Sequence, residues 1–471
     1  MRLQDGQQII KTRDDPIPVI LDQSDVPQSD VPQDANKPFK LSASMTCSWA
    51  KDEDEFGPER LRPRIEPWLT ALVQSEHLSL LVGSGLTHAV HQLAVDEPVP
   101  WMGNIDIETF KDEIEAEAKR SAKAAGRETA IFEDQLRVAN ELLRGLEIIA
   151  SIKTDDAPKY EQIKGLRQEL TEALSSFTAS ILEAERNLAS ALDEKRENAF
   201  NYLVSFLMSF ASRSGTRDRL HLFTTNYDRY IEAGADVAGL RLIDRFVGTL
   251  APVFRASRLD VDLHYNPPGI RGEPRYLEGV ARFTKLHGSI DWVDCHKAIR
   301  RFGLPFGAKD VNSCLCAPGL HGDDGMKLMI YPNAAKDRET AEYPYVELFR
   351  DFAAAICRPN STLVVYGYSF GDEHINRVIE DMLTIPSVHL VIISYSDPLG
   401  RIIRLYEKLG RPAQITLLLG NHLGDLKALV DHYLPKPAID RTTFRMAELL
   451  RKRLGAQAPQ DQDDGSTDNG G

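Results

Sequence analysis

The chain has 471 residues, of which 42% are hydrophobic and 27% are charged, so it is long enough for two domains plus tails. Its 56 basic and 70 acidic residues give a net charge of −14, which argues against broad, direct binding to nucleic acid. No run approaches the roughly 20 apolar residues of a membrane helix, and the N-terminal segment lacks the apolar core of a signal peptide, so we expect a cytoplasmic protein with no membrane partner.

Residues 1–60 are rich in Asp, Gln, Pro and Lys and contain a tandem Gln-Ser-Asp-Val-Pro repeat. Such a composition buries too little apolar surface to offset the entropy lost on ordering, so we predict a disordered N-terminal extension. Order should begin near Leu61, with a helix over residues 65–76. The polar tail at 455–471 is predicted to be disordered as well.

A short apolar run then ends in the turn Gly83-Ser84-Gly85. A strand followed by glycines is typical of a nucleotide site, because glycines let a phosphate approach the backbone. An ordinary tight turn explains this segment equally well, since His88 stands where the third glycine of the dinucleotide fingerprint would fall. Thr87 is a candidate cap for the helix that follows.

Residues 105–200 are rich in Ala, Glu, Lys, Arg and Leu and show no strand-like alternation, which predicts a helical insertion between two strands. Its apolar residues recur three and four positions apart and share one helix face: Ile163, Leu166, Leu170, Leu174, Phe177 and Ile181. That face is either the insertion's own core or an assembly surface.

From residue 198 onward, apolar helical segments alternate with short apolar strands, apart from an irregular arginine-rich stretch at 241–282 and a predicted loop at 296–328. This alternation predicts an α/β fold with a Rossmann-like, mostly parallel sheet and helices on both faces. We assign residues 61–104 and 201–435 to this domain.

Two side chains at predicted strand ends are candidate functional groups. The carboxamide of Asn226 both donates and accepts hydrogen bonds, and the imidazole of His287 titrates near physiological pH and can act as a general base. Singly, each is more often structural: a capping Asn and a core His. Asp228 is a candidate helix cap, and Asp291 either holds the imidazole tautomer or serves a turn.

Four motifs occur in a fixed order, namely Gly83-Ser84-Gly85, Thr224-Thr225-Asn226-Tyr227-Asp228, Lys285-Leu286-His287-Gly288 and Gly367-Tyr368-Ser369-Phe370-Gly371-Asp372. This set resembles the sirtuin superfamily and, more narrowly, the sirtuin-like NAD hydrolases of bacterial antiphage defence. The resemblance covers about residues 65–435 apart from the helical insertion.

The resemblance implies that Asn226 and His287 form the catalytic pair and that NAD is the substrate. It also implies a set of cofactor-binding residues: Gly83, Ser84, Gly85, Thr87, Thr225, Asp228, Gly367, Ser369 and Asp372. Of these, Ser369 and Asp372 either contact ribose or cap the next helix.

Sirtuins that deacylate proteins usually bind zinc through two CxxC pairs after the His-Gly motif. Here the five cysteines are too scattered for a disulfide framework, and the same region offers Cys295, Cys314 and Cys316, with His296 and His321 nearby. The regular paired spacing is absent, so we expect reduced cysteines and no metal.

These departures favour cleavage of NAD⁺ to nicotinamide and ADP-ribose over transfer to an acyl-lysine. We therefore expect an NAD⁺ hydrolase that depletes cellular NAD when triggered, acting as a homo-oligomer or with a HerA-like ATPase. The alternatives are an NAD-dependent protein deacylase or ADP-ribosyltransferase, and a non-catalytic assembly module that senses NAD or ADP-ribose.

Overall fold

The computed structural model describes the following residues: 2–12, 15–23, 39–43, 45–51, 54–100, 107–124, 129–130, 132–152, 157–213, 217–265, 275–295, 298–315, 320, 328–330 and 343–436. The tail predicted at 455–471 lies outside them, and so does residue 1. Within the described residues, no helix is both long enough and apolar enough to cross a membrane.

The strands are β1 (Gln7–Lys11), β2 (Val19–Gln23), β3 (Phe39–Leu41), β4 (His77–Val82), β5 (Leu220–Thr224), β6 (Arg241–Ile243), β7 (Phe246–Val247), β8 (Val253–Phe254), β9 (His264–Tyr265), β10 (Arg275–Tyr276), β11 (Val280–Lys285), β12 (Gly288–Cys295), β13 (Ala298–Arg301), β14 (Leu328–Ile330), β15 (Ser361–Tyr366), β16 (His389–Ser394) and β17 (Ile415–Leu419). The helices are α1 (Pro58–Val73), α2 (Ser84–Ala94), α3 (Lys111–Ala124), α4 (Phe132–Ile152), α5 (Ala157–Ala189), α6 (Asp193–Ala211), α7 (Tyr230–Ala238), α8 (Tyr345–Ile356), α9 (Glu373–Met382), α10 (Arg401–Leu409) and α11 (Leu426–Ala428), which continues as a π-helix over Leu429–Tyr433. Short 3-10 turns occupy Ala256–Asp260, Asn312–Cys314, Pro398–Gly400 and Pro412–Gln414.

One large sheet organises the protein, with the strand order β3-β2-β1-β17-β16-β15-β4-β5-β11-β6. The seven strands from β17 to β6 run parallel, whereas β1, β2 and β3 are antiparallel additions at one edge. The predicted α/β class with a mostly parallel, Rossmann-like sheet is thereby confirmed. From β4 the chain continues to β5 on one side of β4 and returns later to β15 on its other side. The topological switch point therefore lies between β4 and β15.

Helices cover both faces of this sheet because successive side chains of each strand point to opposite sides. In β4, Leu80 and Val82 join the core formed with α1, α2, α6 and α7, whereas Leu81 joins the core formed with α8, α9 and α10. All three side chains are buried. Near-continuous apolar strands such as β4 and β15 are typical of a parallel sheet that is buried on both faces.

The N-terminal extension predicted to be disordered at 1–60 contains three strands, so the prediction is wrong for those residues. Strand β1 pairs antiparallel with β17, in register Ile9↔Leu419, and both Ile9 and Ile10 are fully buried. The side-chain oxygen of Gln8 also accepts hydrogen bonds from the backbone N–H groups of His422 and Leu423. A few apolar residues in a polar segment are enough here, because the edge of β17 supplies their hydrogen bonds.

The predicted helical insertion contains α3, α4 and α5, and α6 begins inside it. The apolar face of α5 is buried against α3 and α4, with Leu166 and Leu170 fully inaccessible. The face therefore lies in a core that the insertion shares with residues of the second sheet, such as Val293. Helix α6 instead packs in the main core through Phe206 and Phe210.

A second sheet has the order β14-β12-β13-β8-β7, in which β12 begins at Gly288 of the His287 motif and β7 and β8 come from the chain before it. Strand β13 and a 3-10 turn fall inside the loop predicted at 296–328, so that segment is more regular than expected. The irregular stretch predicted at 241–282 consists of short strands and one 3-10 turn among its described residues.

Candidate active site

The four motifs lie at the carboxyl ends of four neighbouring parallel strands, in the order β15, β4, β5 and β11. The register pairs Val82 with both Tyr366 and Thr224, and Thr224 with Lys285. The segments that follow these residues therefore emerge side by side. Ligands of open α/β sheets bind at this edge, outside the carboxyl ends of the strands.

The glycine turn packs directly against the loop after β15. A β-carbon added to Gly83 would lie 2.5 Å from the carbonyl oxygen of Gly367, and one added to Gly85 would lie 2.6 Å from its α-carbon. Gly367 itself has φ +62, and its oxygen accepts a hydrogen bond from Gly85 N at 2.9 Å. Close approach of two backbones thus requires these glycines.

Asn226 links the loop after β5 to the glycine turn. Its Nδ2 donates to the carbonyl oxygen of Gly83 at 3.1 Å and to Oγ1 of Thr87 at 3.0 Å, and its backbone N–H donates to Thr224 Oγ1. Among the described residues, its Oδ1 has no hydrogen-bond partner. The carboxamide is therefore fixed by its amino group and presents an acceptor oxygen.

His287 is oriented by Asp372. Its Nε2 lies 2.9 Å from Oδ2 of Asp372, and both side chains are largely buried. The other carboxylate oxygen of Asp372 accepts from His374 N at 3.1 Å, so the residue also caps α9, as one of the two predicted alternatives had it. The Oδ1 of Asp291, the residue predicted as a possible imidazole partner, is buried without a hydrogen-bond partner among the described residues.

Asp228 bridges two loops of the site. Its Oδ2 accepts from Thr87 Oγ1 at 2.7 Å, and its Oδ1 accepts from the backbone N–H of Tyr230 at the start of α7. Asp228 is not the N-cap of α7, which is Arg229, but it bonds the first N–H of that helix from the preceding position. Thr87 does not cap α2, because the N-cap is Gly83. Thr87 sits within the helix and supports Asn226 and Asp228.

The remaining predicted binding residues lie at the same edge of the sheet. Ser84 is exposed at the first position of α2, Thr225 is half-buried after β5, and Ser369 is half-buried in the loop after β15. The N-terminus of α2 has no side-chain cap, but the N–H groups of Gly85 and Leu86 already donate to the carbonyl oxygens of Gly367 and Gly83.

Helix α5 of the insertion also reaches the site. The ring of Phe177 packs edge-on against Tyr227, with centroids 5.7 Å apart, and the Tyr227 ring lies 6.2 Å from that of His287. Farther along α5, Glu185 accepts hydrogen bonds from the backbone and guanidinium of Arg229. Sequence reasoning did not identify these contacts.

Lys285 holds the loop after β5 from the opposite side. Its buried ammonium donates to the carbonyl oxygens of Tyr227 and Asp228 and to Oε1 of Glu232 at 2.9 Å. Burial raises the pKa of Glu232 to about 7, although Lys285 acts in the opposite direction. The position of Lys285 at the end of an apolar strand could have indicated this pairing, because a buried lysine is rarely found without a partner for its charge.

Glu232 and Lys285 also line a cavity of about 710 Å³ between α7, β6 and the second sheet. Its wall combines aromatic side chains, such as Phe246 and Trp292, with a larger number of charged ones. Asp291 lines this cavity, whereas Asn226 and His287 do not.

Cys295 and Cys314 are partly buried beside the insertion core. No group of three or more His, Cys, Asp or Glu side chains suited to a metal occurs within the described part of the chain. Cys316, His296 and His321 lie outside the described residues, so the expectation of no zinc stays a prediction.

The fold is that of an α/β protein with a Rossmann-like sheet, and the predicted site residues lie near the switch point of that sheet. Residues 220–410, less than half of the chain, match the family model described as SIR2-like domain. The match supports a sirtuin-like family and, because SIR2-like domains use NAD, an NAD-dependent activity. It includes Asn226, His287 and Asp372 but not the glycine turn or the insertion. No curated protein matches the chain.

Proposed function

We propose that this protein is an NAD⁺ hydrolase that releases nicotinamide and ADP-ribose. The observation that carries the proposal is the imidazole of His287, held by the Asp372 carboxylate, at the strand end next to the one that delivers Asn226. An Asp-His pair of this kind fixes the tautomer of the imidazole and stabilises its protonated form. With Nε2–H donated to Asp372, Nδ1 is the basic nitrogen.

Hydrolysis of NAD⁺ requires few catalytic side chains. Cleavage of the bond between nicotinamide and ribose gives the ribose oxocarbenium character, by analogy with glycoside hydrolysis. Nicotinamide leaves as a neutral molecule, water adds to the anomeric carbon, and His287 takes the proton of that water. Asn226 Oδ1 accepts a hydrogen bond from a ribose hydroxyl or from the water and so fixes the position of the reacting atoms.

Substrate binding falls to the other residues at the same edge of the sheet. At the N-terminus of α2 the N–H groups of Gly85 and Leu86 donate within the protein, so the exposed first position, Ser84, is the part of this helix end that suits a phosphate. Ser84, Thr225 and Ser369 offer hydroxyl groups for phosphate or ribose, and the loop carrying Gly367 lines the nucleotide. Asp228 and Thr87 support Asn226 rather than touch the substrate.

Control of the activity is part of the proposal. Only 9% of Asn226 and 8% of His287 is exposed, so the pair needs the site to open before it meets NAD⁺. An enzyme that drains cellular NAD must be inactive until it is triggered. The role in antiphage defence, the homo-oligomeric state and a HerA-like ATPase partner rest on the resemblance of the motif set.

Nicotinamide release tests the proposal. Purified protein is incubated with NAD⁺, alone and with the product of the adjacent gene, and nicotinamide is followed by chromatography. Release without an acyl-peptide is the expected result. Release that requires an acyl-peptide indicates a deacylase, transfer of ADP-ribose to protein indicates a transferase, and intact NAD⁺ under every condition indicates a sensing module.

A further inference from the structure

Helix α5 of the insertion contacts the loop that carries Asn226 at two points. Phe177, 6% exposed, packs its ring on Tyr227 at an interplanar angle of 88°. Glu185, fully buried, accepts from Arg229 N at 2.9 Å, from Nε at 3.1 Å and from Nη2. The two loop residues held in this way stand on either side of Asp228 in the sequence.

The hydrogen bonds between Glu185 and Arg229 leave the Arg229 side chain little freedom to move. The guanidinium also donates to the carbonyl oxygens of Leu304 and Pro305, so its hydrogen bonds point in fixed directions. Both charges are buried. Any shift of α5 must carry Arg229 with it or leave a buried charge unpaired, which is strongly unfavourable.

The contact between Phe177 and Tyr227 lies close to the proposed catalytic pair. Tyr227 is the chain neighbour of Asn226, and its ring lies 6.2 Å from the ring of His287. Phe177 and Glu185 are eight residues apart, or about 12 Å along the helix axis. One rigid helix therefore contacts the residue beside Asn226 and the start of α7 at the same time.

We propose that Phe177 and Glu185 are positioning residues, through which helix α5 sets the place of Asn226 and makes activity depend on the insertion. The effect on turnover rests on the proposed NAD⁺ hydrolase activity, whereas the effect on the loop does not. Displacement of α5 by a trigger or a partner moves Tyr227 and Arg229, and Asn226 moves with them. A shift of about 1 Å in a catalytic group is enough to change the rate about a hundredfold.

Two variants and two matched controls test this assignment in the full-length protein. Phe177→Leu removes the aromatic contact, and Glu185→Gln removes the charge that holds Arg229. Glu183→Gln changes an exposed acid of the same helix, and Leu166→Val removes one methylene from the same insertion core about 16 Å along the helix from Phe177.

Hydrogen exchange of the backbone N–H groups at residues 224–230 is the first measurement, and the kcat and KM of nicotinamide release are the second. The expected result is exchange about tenfold faster and kcat about tenfold lower in both variants, with KM within about threefold of the wild type and both controls unchanged. Thermal unfolding of all five proteins monitors the fold.

Exchange at 224–230 equal to that of the controls overturns the proposal, whether or not Tm falls, because a purely structural role destabilises the insertion without freeing the loop. Faster exchange with kcat unchanged also overturns it. Faster exchange together with a wild-type protein that never releases nicotinamide keeps the coupling and rejects the hydrolase instead.

Discussion

His287 and Asp372 are 85 residues apart in the chain, yet Nε2 of the first lies 2.9 Å from Oδ2 of the second. Asp372 also accepts a hydrogen bond from the first turn of α9, so one carboxylate anchors both a helix and an imidazole. A substitution of Asp372 can therefore be chosen that changes its interaction with the imidazole and keeps the cap of α9.

Asp372→Asn is expected to lower kcat by about a hundredfold or more while stability changes little. Asn is as good a helix cap as Asp, so α9 keeps its first turn. A carboxamide does not stabilise a protonated imidazole as a carboxylate does, and it permits the wrong tautomer. Nicotinamide release and thermal unfolding measure the two effects. Asp381→Asn, an exposed change in the same helix, is the control, and equal kcat values for the two variants would refute the role of Asp372.

Asn226→Asp is expected to abolish nicotinamide release, by at least about a hundredfold, in a protein that stays folded. The substitution preserves shape but replaces the amino group that donates to Gly83 and Thr87 with a second acceptor. Loss of two such hydrogen bonds costs about 1–3 kcal/mol, which thermal unfolding will detect. Turnover close to that of the wild type would remove Asn226 from the catalytic pair.

Gly85→Ala is expected to destabilise the protein by about 1–3 kcal/mol, because the new β-carbon would lie 2.6 Å from Gly367 and one backbone must move. Gly145→Ala is the matched control. A β-carbon there meets nothing within 4 Å, and the residue lies inside α4, so this change should stabilise the protein by about 0.5–1 kcal/mol. Chemical denaturation of both variants decides, and effects of the same sign would contradict the packing argument.

Glu232 is expected to make stability fall as the pH rises from about 4.5 to about 7. Its pKa is raised by burial from 4.5 to about 7, so within that window the native protein binds more protons than the unfolded chain. The free energy of unfolding then decreases by up to about 3 kcal/mol. Denaturation at a series of pH values measures this slope.

Glu232→Gln removes the titrating group and should flatten the slope. Asp236→Asn, an exposed change in the same helix, should leave it as in the wild type. Superimposable pH profiles for the wild type and Glu232→Gln would contradict an elevated pKa.

The sequence was sufficient to predict the sheet and the edge at which the motifs meet. Apolar strands alternating with helices indicate a parallel sheet, and the carboxyl ends of its strands necessarily lie together. Contacts between side chains far apart in the chain were not predictable in this way. The partners Glu185 and Arg229 are 44 residues apart and belong to different segments, and no local periodicity encodes such a pair.

The N-terminal strands were missed for a related reason. Residues 7–11 contain only two apolar side chains, Ile9 and Ile10, and their burial depends on a strand more than 400 residues later. Composition alone measures how much apolar surface a segment carries, not which edge stands ready to pair with it. Residues 24–38, which include most of the tandem repeat, lie outside the described residues.

The pairing of β1 with β17 has a consequence for synthesis. Strand β1 is translated about 400 residues before its partner, which is complete only when residue 419 has been added. The other six parallel strands must also await β17 before the sheet reaches its full width. The edge that carries the four motifs can assemble on the nascent chain from β4, β5, β11 and β15, but the antiparallel border closes only after β17 has been made.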